Sequence, residues 1–236
     1  MKILGIVPAR EGSKRVIGKN TRMLGGKPLC QWVIEAALGA KKLDRVIVSS
    51  DDEKVLEIAR GIRADLPLAR PPELATDTSP SVDFVLHALK ELEARGEGPF
   101  DAVAVMPSSS PFTLSSDIDA TIDLYLTKKP ETAVSVMQAD HAVHPIKMKT
   151  MSAGETRLVP YLEEEGGRMA THELPKIFVR NCSVYVSGRD VYRKYNSLVG
   201  RDMHGYVMPF ERSIDINVEM DLEFANFLLE RKKVSA

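Results

Sequence analysis

A cation-rich loop near the N-terminus holds the residues best suited to chemistry. Residues 10–22 carry five Lys and Arg side chains against one acid, Glu11. The whole chain has 32 basic and 33 acidic residues and a formal net charge of −1, so this excess is local. Because Gly12 and Gly18 let backbone N–H groups approach phosphate oxygens closely, the loop predicts an anion site. A solvated basic loop is the simpler alternative.

Two common phosphate-binding motifs do not fit this loop. Five residues separate Gly12 from Gly18, and Asn20 follows Lys19, whereas a P-loop has four intervening residues and then Ser or Thr after the Lys. The Gly-x-Gly-x-x-Gly fingerprint of dinucleotide-binding dehydrogenases does not follow the preceding strand-like run either. Neither of these two classes is therefore indicated.

A second polar group occurs near the C-terminus. Polar and apolar side chains alternate through residues 213–218, which predicts a strand with one buried face and one polar face. Asp215 and Asn217 lie on the polar face, which predicts a polar edge that could bind a ligand. The simpler alternative is that Asp215 caps a neighbouring loop.

Other reactive residue types carry weaker signals. Residues 108–110 are three serines at the end of a strand-like run, but no Gly-x-Ser-x-Gly surrounds them, so a turn is favoured over a nucleophile. His141 and His144 lack the setting of a zinc-binding helix, which favours a structural role. Cys30 and Cys182 lie in apolar runs and are expected to be buried thiols.

The elements that must position these residues alternate between strand and helix. Apolar runs predict strands at residues 3–7, 45–49, 102–106 and 132–137. Apolar stripes predict helices around residues 29–37, 82–89 (with Ser79 as N-cap) and 118–126, and a closing helix over 219–232. Such alternation indicates an α/β fold, a parallel sheet covered by helices.

The pattern changes in the middle of the chain. Residues 139–186 are irregular, with short alternating pieces, and predict an inserted β-rich subdomain. The main domain then consists of residues 1–138 and 187–236.

Composition limits the classes of partner. With 236 residues and a hydrophobic fraction of 44%, the chain can build a real core. Its balanced charge supplies no global field for a polyanion, so neither nucleic acid nor a membrane is an expected partner. The sequence has no apolar run of about 18 residues and no leader-like region after Met1, so a cytoplasmic protein is expected.

The most specific motif of the chain is Pro8-Ala9-Arg10-x-Gly12-Ser13-Lys14-Arg15 followed by Lys19-Asn20. It resembles the signature of one enzyme family, the acylneuraminate cytidylyltransferases, also called CMP-sialic acid synthetases. The similarity continues through residues 70–77, Ser110-Pro111, His144-Pro145-x-Lys147, Leu174-Pro175, Arg180-Asn181, Tyr185 and residues 212–217. It therefore spans nearly the whole chain.

The resemblance implies a fold and a reaction. The fold would be a Rossmann-like, glycosyltransferase-A-like nucleotidyltransferase domain, a mostly parallel sheet with helices on both faces, and a dimerisation subdomain at residues 139–186. The reaction would transfer CMP from CTP to a nine-carbon 2-keto sugar acid of the sialic, legionaminic or pseudaminic type and release pyrophosphate. A homodimer that uses Mg²⁺ is implied.

The resemblance also implies roles for individual residues. Arg10, Lys19 and Asp215 would be catalytic. The nucleotide would be held by Arg10, Gly12, Ser13, Lys19, Asn20, Arg70 and Ser81. The sugar acid and phosphates would be held by Ser109, Ser110, Lys147, Arg168, Arg180, Asn181 and Tyr185, with Lys147 and Arg168 coming from the partner subunit. The metal would be held by Asp215 and Asn217.

Two positions depart from the family pattern. Pro107 stands where the family usually has a Gln that contacts the sugar, which leaves the acceptor open. Asn217 stands where the family has a second acid, and an amide oxygen adds no charge to a Mg²⁺ site, so weaker metal binding is expected. Three alternatives therefore remain: a keto-deoxy-octulosonate cytidylyltransferase, a sugar-1-phosphate nucleotidyltransferase, and a non-catalytic nucleotide-sugar-binding protein.

Overall fold

A seven-stranded sheet forms the centre of the computed structural model, which describes residues 1–162, 174–232 and 234. The strands are β1 (Ile3–Pro8), β2 (Met23–Leu24), β3 (Lys27–Pro28), β4 (Arg45–Ser50), β5 (Pro67–Ala69), β6 (Ala102–Val105), β7 (Thr132–Gln138), β8 (Lys149–Met151), β9 (Leu158–Pro160), β10 (Phe178–Gly188) and β11 (Met203–Val207). The helices are α1 (Leu29–Gly39), α2 (Glu53–Ile62), α3 (Asp83–Ala94), α4 (Ser115–Lys128), α5 (Arg189–Tyr195) and α6 (Glu219–Glu230).

The strand order of the central sheet is β11-β7-β10-β6-β1-β4-β5. Strand β1 pairs in parallel with β4 on one side and with β6 on the other. Strand β10 is antiparallel to both β6 and β7, and β11 is again parallel to β7. The mostly parallel sheet predicted from the sequence is confirmed, with β10 as its antiparallel member. Because β1, β4 and β6 run in one direction, the loops that follow them meet at one edge of the sheet.

Helices cover both faces of this sheet. Because side chains alternate along a strand, Ile3 and Val7 of β1 pack with α1, α2 and α4, whereas Leu4 and Ile6 pack with α3 and Tyr192 of α5. Within the described chain, no helix combines the length and apolar character needed to cross a membrane.

The start of helix α3 differs from the prediction. The helix begins at Asp83, and Ser79 is not its N-cap. The Ser79 hydroxyl instead donates to the Glu73 carbonyl at 2.9 Å and lies 2.7 Å from the Thr76 hydroxyl. Ser79 is used to close a turn over residues 76–79, so it is not available to cap a helix.

The strand predicted over residues 213–218 is wrong. This segment is extended, but it has no place in the described sheets. Its alternation instead reflects burial, because Ile214 and Ile216 pack with Trp32 and Phe112 in a third core cluster. A backbone hydrogen bond from the Ile216 N–H to the Ser109 carbonyl, 2.8 Å long, ties the segment to the loop after β6.

The expected insertion overlaps the central sheet. Strand β10 covers residues 178–188 and pairs with β6 and β7, so the last part of the range 139–186 belongs to the main sheet. Two short 3-10 turns and an exposed hairpin of β8 and β9 lie between β7 and β10.

A buried ion pair anchors the segment that carries Asp215. Asp117, in the first turn of α4, is fully buried and accepts hydrogen bonds from Arg212 Nε at 3.1 Å and Arg212 Nη2 at 2.8 Å. The Tyr206 hydroxyl and the Leu114 N–H also donate to this carboxylate, at 3.2 Å and 3.0 Å. Arg212 directly precedes the extended segment, so the pair fixes where that segment starts.

Removal of the Arg212 side chain tests how much this ion pair contributes to the free energy of unfolding. Because Arg212→Ala leaves the buried Asp117 carboxylate without its charge partner, we expect a loss of about 3 kcal/mol in the free energy of unfolding. Urea denaturation should show a lower midpoint with an unchanged slope. The matched control is Arg60→Ala, which removes an exposed ion pair with Glu53 at 3.6 Å and should cost under about 1 kcal/mol. Equal losses in the two variants would contradict this assignment.

Candidate functional site

A cleft of about 420 Å³ opens beyond the carboxyl ends of β1 and β6. Its walls come from the cation-rich loop after β1, the loop after β6, the turn at Asp77 and the extended segment before α6. The lining residues are Pro8, Arg10, Ser13, Lys14, Arg15, Lys19, Asn20, Asp77, Pro107, Ser108, Ser109 and Asn217. Parts of the chain that are remote in sequence thus meet where α/β sheets bind ligands.

Asn20 holds the cation-rich loop against the sheet. Its side-chain amide donates to the Arg10 carbonyl at 2.8 Å, and its Oδ1 accepts from the Ser108 hydroxyl at 2.7 Å. Gly18, at φ +61°, takes the left-handed conformation that starts the 3-10 turn Lys19–Thr21. Asn20 is buried, so in this structure its amide positions the loop.

The four cations in the cleft each contact a partner from elsewhere in the chain. Arg10 Nη1 lies 2.8 Å from Asp77 Oδ1, and Lys14 forms an ion pair with the other oxygen of the same carboxylate. The remaining contacts are Arg15 Nη2 to Asn217 Oδ1 at 3.1 Å and Lys19 Nζ to the Ile216 carbonyl at 2.8 Å. The loop therefore presents its positive charge toward one small volume.

The surroundings of Lys19 change its pKa. Burial lowers its pKa from the ordinary value of 10.5, Arg15 and Arg10 add to this effect, and Asp215 opposes it. A cation that is partly desolvated before ligand binding interacts strongly with an incoming anion. Lys19 is therefore suited to hold a phosphate oxygen.

Asp215 and Asn217 form the polar edge predicted from the sequence, although they do so outside the sheet. Asp215 Oδ2 accepts from the Asn217 side-chain amide at 2.7 Å. Asp215 Oδ1 is buried and has no hydrogen-bond partner among the described residues. Such an oxygen is costly to bury unless a proton donor or a cation meets it.

A bound cation would give the buried Oδ1 of Asp215 an interaction partner. The described residues contain no cluster of three or more His, Cys, Asp or Glu side chains that could hold a metal by themselves. Mg²⁺ is commonly held by one or two carboxylates together with substrate phosphates and water. Asp215 therefore fits a metal that arrives with a phosphate ligand.

Arg70 and Ser81 lie apart from the cleft lining. The Arg70 guanidinium is buried, donates to the Ser49 hydroxyl at 3.1 Å and carbonyl at 2.8 Å, and sits 4.9 Å from the Phe84 ring centroid. Burial lowers the pKa of Arg70 to about 10. Ser81 is exposed in the turn before α3, and Gly12 is exposed at the rim of the loop.

The residues expected on the acceptor side divide into two groups. Ser109 lines the cleft, whereas the Ser110 hydroxyl donates to the Cys182 carbonyl at 2.9 Å. Asn181 is buried and accepts from the Ser135 hydroxyl at 2.6 Å while it donates to the Ser213 hydroxyl at 2.8 Å. These contacts join the loops around the cleft.

A neighbouring cavity of about 380 Å³ holds the second group. Arg180 and Tyr185 line it, and the Tyr185 hydroxyl donates to Cys182 Sγ at 3.4 Å. Burial raises the pKa of Tyr185 well above its usual range. Lys147 is not part of the cleft lining, and its Nζ lies 2.8 Å from His141 Nδ1. Arg168 lies outside the described residues.

Ser108 and Asp77 line the cleft, although neither was assigned a binding role from the sequence. Ser108 was expected only to form a turn, and its hydroxyl fixes Asn20. Asp77 lies within the segment at residues 70–77 that resembles the family, and that resemblance was the signal available from the sequence.

A cationic cleft beyond the carboxyl ends of parallel strands is the kind of site at which α/β proteins bind nucleotides. Residues 4–193 match the family model described as Cytidylyltransferase, and the chain belongs to that family. The resemblance stated from the motifs is thereby confirmed.

Named relatives match over almost the whole chain. An N-acylneuraminate cytidylyltransferase of Escherichia coli O18:K1:H7 is 31% identical over 232 residues, which are 98% of this chain and 53% of that protein. A CMP-N,N'-diacetyllegionaminic acid synthase of Legionella pneumophila is 29% identical over 98% of this chain and 97% of its own length. The chain thus spans about half the length of the first relative and nearly all of the second.

The fold also matches a solved structure. A CMP:2-keto-3-deoxy-manno-octonic acid synthetase complexed with CTP superposes with a TM-score of 0.71, covering 98% of this chain and 100% of the other. At 17% sequence identity this similarity concerns the fold. It agrees with the nucleotidyltransferase architecture expected from the sequence.

The pH dependence of CTP binding tests the assignment of Lys19. Because the pKa of Lys19 lies below 10.5, its charge is lost at a lower pH than that of an exposed lysine. Affinity for CTP, measured by isothermal titration, should therefore fall as the pH rises through that lowered value. Lys19→Arg should shift this alkaline loss to higher pH, because a guanidinium stays charged. Lys19→Ala should weaken binding about 30-fold or more through one lost charge-assisted contact. Unchanged affinity in Lys19→Ala would contradict the assignment.

Proposed function

We propose that this chain transfers CMP from CTP to the anomeric hydroxyl of a nine-carbon 2-keto sugar acid and releases pyrophosphate. Family membership and the relatives named for N-acylneuraminate and diacetyllegionaminic acid support this reaction. A pseudaminic acid cytidylyltransferase of Campylobacter jejuni, 25% identical over 236 residues, extends the same substrate class. The single observation that carries the proposal is the convergence of four cations on one cleft, with Asp215 hydrogen-bonded to Asn217 of its lining. The cytoplasm, which supplies CTP, is the expected compartment.

The cleft residues suit a transfer that needs positioning more than proton transfer. Nucleotidyl transfer spreads negative charge over phosphate oxygens in the transition state. Arg10, Lys14, Arg15 and Lys19 can neutralise that charge from one side. Ser13 lines the cleft beside them, and its hydroxyl can donate to the same oxygens. The loop would thus orient the triphosphate and stabilise the leaving pyrophosphate.

Asp215, with Asn217 beside it, is the proposed holder of Mg²⁺. When bound, the metal would neutralise phosphate charge and make the attacking hydroxyl more acidic. The orphaned Oδ1 of Asp215 supports this role. Asn217 Oδ1 accepts a hydrogen bond from Arg15, so it would have to exchange that contact before it could bind a metal ion.

The acceptor is proposed to lie between the cleft and the neighbouring cavity. Arg180 there offers a positive charge to the carboxylate of a sugar acid, and Tyr185 offers a hydroxyl. Pro107 lines the cleft without any side-chain hydrogen-bonding group, so acceptor recognition relies on other residues. A keto-deoxy-octulosonate acceptor remains the alternative, since the synthetase that shares the fold is named for such an acid.

Pyrophosphate release tests the reaction and the metal together. Four nucleoside triphosphates should be screened against a panel of 2-keto sugar acids with and without Mg²⁺. We expect release only with CTP and a nine-carbon acid, and only when Mg²⁺ is present. Asp215→Asn should abolish this activity, because it removes the one carboxylate charge proposed for the metal. Tight CTP binding without turnover for any acid would favour the non-catalytic nucleotide-sugar-binding protein.

We further propose a homodimer that shares its active sites. The hairpin of β8 and β9 leaves large apolar side chains at the surface, and so does the start of β10. These exposed residues are Met151, Leu158, Val159, Tyr161, Leu162 and Phe178. Exposed apolar patches of this kind mark contact surfaces, and a twofold mate is the simplest partner. Lys147, absent from the cleft of its own subunit, would then reach the partner's site.

Subunit mixing tests the shared site. Lys19→Ala and Lys147→Ala should each be inactive. When the two variants exchange subunits, half of the randomly formed dimers are mixed, and each mixed dimer has one intact site. Activity should therefore return to about a quarter of wild type. If exchange is demonstrated and the mixture stays inactive, both residues act within one chain and the shared site is wrong.

A further inference from the structure

The Asp77 carboxylate pairs with two cations of the cleft. One of its oxygens lies 2.8 Å from Arg10 Nη1, and the other pairs with Lys14. Arg10, Lys14 and Asp77 all line the same cavity. A single carboxylate therefore holds two of the cations that are proposed to bind the triphosphate.

A closed turn fixes the position of this carboxylate. The Thr76 N–H donates to the Ser79 hydroxyl at 3.2 Å, and the Ser79 N–H donates to the Thr76 hydroxyl at 3.1 Å. The Ser79 hydroxyl is anchored in turn on the Glu73 carbonyl at 2.9 Å. Asp77 lies between these two residues, so its backbone is held while its side chain points to the loop.

We propose that Asp77 is an internal counter-anion that competes with phosphate oxygens for Arg10 and Lys14, and so weakens the binding of triphosphate and pyrophosphate. This inference rests on the proposed function, because it requires that the cleft binds a polyphosphate. Asp77 would not touch the reacting atoms. It would act through the two cations, as a residue that sets affinity and eases product release.

The exposure and charge of these side chains indicate that Asp77 competes with a ligand for the two cations and does not hold them ready for one. The Lys14 side chain is 81% exposed, so its contact with Asp77 is easily exchanged for one with a ligand. The ion pairs hold the pKa of Asp77 below its usual range, Lys14 contributing most and Arg10 less, so the carboxylate stays charged at neutral pH. A charged carboxylate beside a bound polyphosphate repels it, and removal of that charge should favour binding.

The competition should affect the product more than the substrate. CTP has a base and a ribose that can contact other parts of the site, whereas pyrophosphate depends on the cations. An anion that opposes phosphate binding therefore lowers the affinity for pyrophosphate with little loss in recognition of the nucleoside. This difference would help the leaving group to depart after transfer.

Direct titration of pyrophosphate tests the proposal. Wild type and Asp77→Asn should be titrated with pyrophosphate by calorimetry at fixed pH and ionic strength, with EDTA present to remove metal ions. We expect Asp77→Asn to bind pyrophosphate roughly three- to tenfold more tightly. The Ki of pyrophosphate as a product inhibitor should fall by a similar factor. A purely structural role would not produce tighter binding.

Three further variants serve as controls. Glu73→Gln removes one exposed negative charge from the same segment without touching the two cations, and should leave the affinity unchanged. Asp77→Glu keeps the charge and should behave like wild type. Asp77→Ser provides a second neutral side chain in case Asp77→Asn perturbs the turn, which melting temperatures would reveal.

The outcomes separate this inference from the proposed function. Tighter pyrophosphate binding in both neutral variants, but not in Glu73→Gln, supports the counter-anion. Binding by wild type with equal or weaker binding by the neutral variants overturns it and leaves the proposed function standing. A wild-type chain that binds neither pyrophosphate nor CTP overturns both.

Discussion

The close approach of like charges in the cleft is the constraint on which the rest of the site depends. Four cations line a cleft of about 420 Å³, and each contacts an oxygen atom from another part of the chain. The partners come from the turn at residues 76–79 and from the extended segment at residues 213–217. The loop, the turn and the segment therefore behave as one electrostatic unit, although the sequence separates them widely.

The fold could be predicted from the sequence where the spacing of apolar residues along the chain matches the pattern of buried side chains in the structure. Strand β1 and helix α1 lie where the spacing of apolar residues predicted them, and the basic loop follows β1 as expected. The alternation over residues 213–218 was misleading for a physical reason. The alternation shows which side chains are buried. A strand also needs a hydrogen-bonded neighbouring strand, and the local sequence does not show whether a distant segment will provide one.

The charged residues of the cleft could be identified from the sequence, whereas the hydrogen-bond partners of the site residues could be identified only in part. The basic loop lines a cleft beyond β1 and Asp215 lies outside the sheet, whereas the amides of Asn20 and Asn181 are used to hold the protein together. Residue type reveals that an amide needs partners, without showing whether these are protein or ligand. Asp117 escaped notice because Arg212 is 95 residues away, and only the folded chain brings the two together.

The extended segment that carries Asp215 has a dynamic consequence. Strand β1 has hydrogen-bonded neighbours on both sides, so its amides should exchange with solvent only when the protein unfolds globally. Residues 213–217 have no neighbouring strand and are held by side-chain anchors, by the buried side chains of Ile214 and Ile216 and by few backbone hydrogen bonds, so their amides should exchange at a smaller free-energy cost. The position of the Asp215 carboxylate therefore depends on local stability, whereas that of the central sheet depends on global stability.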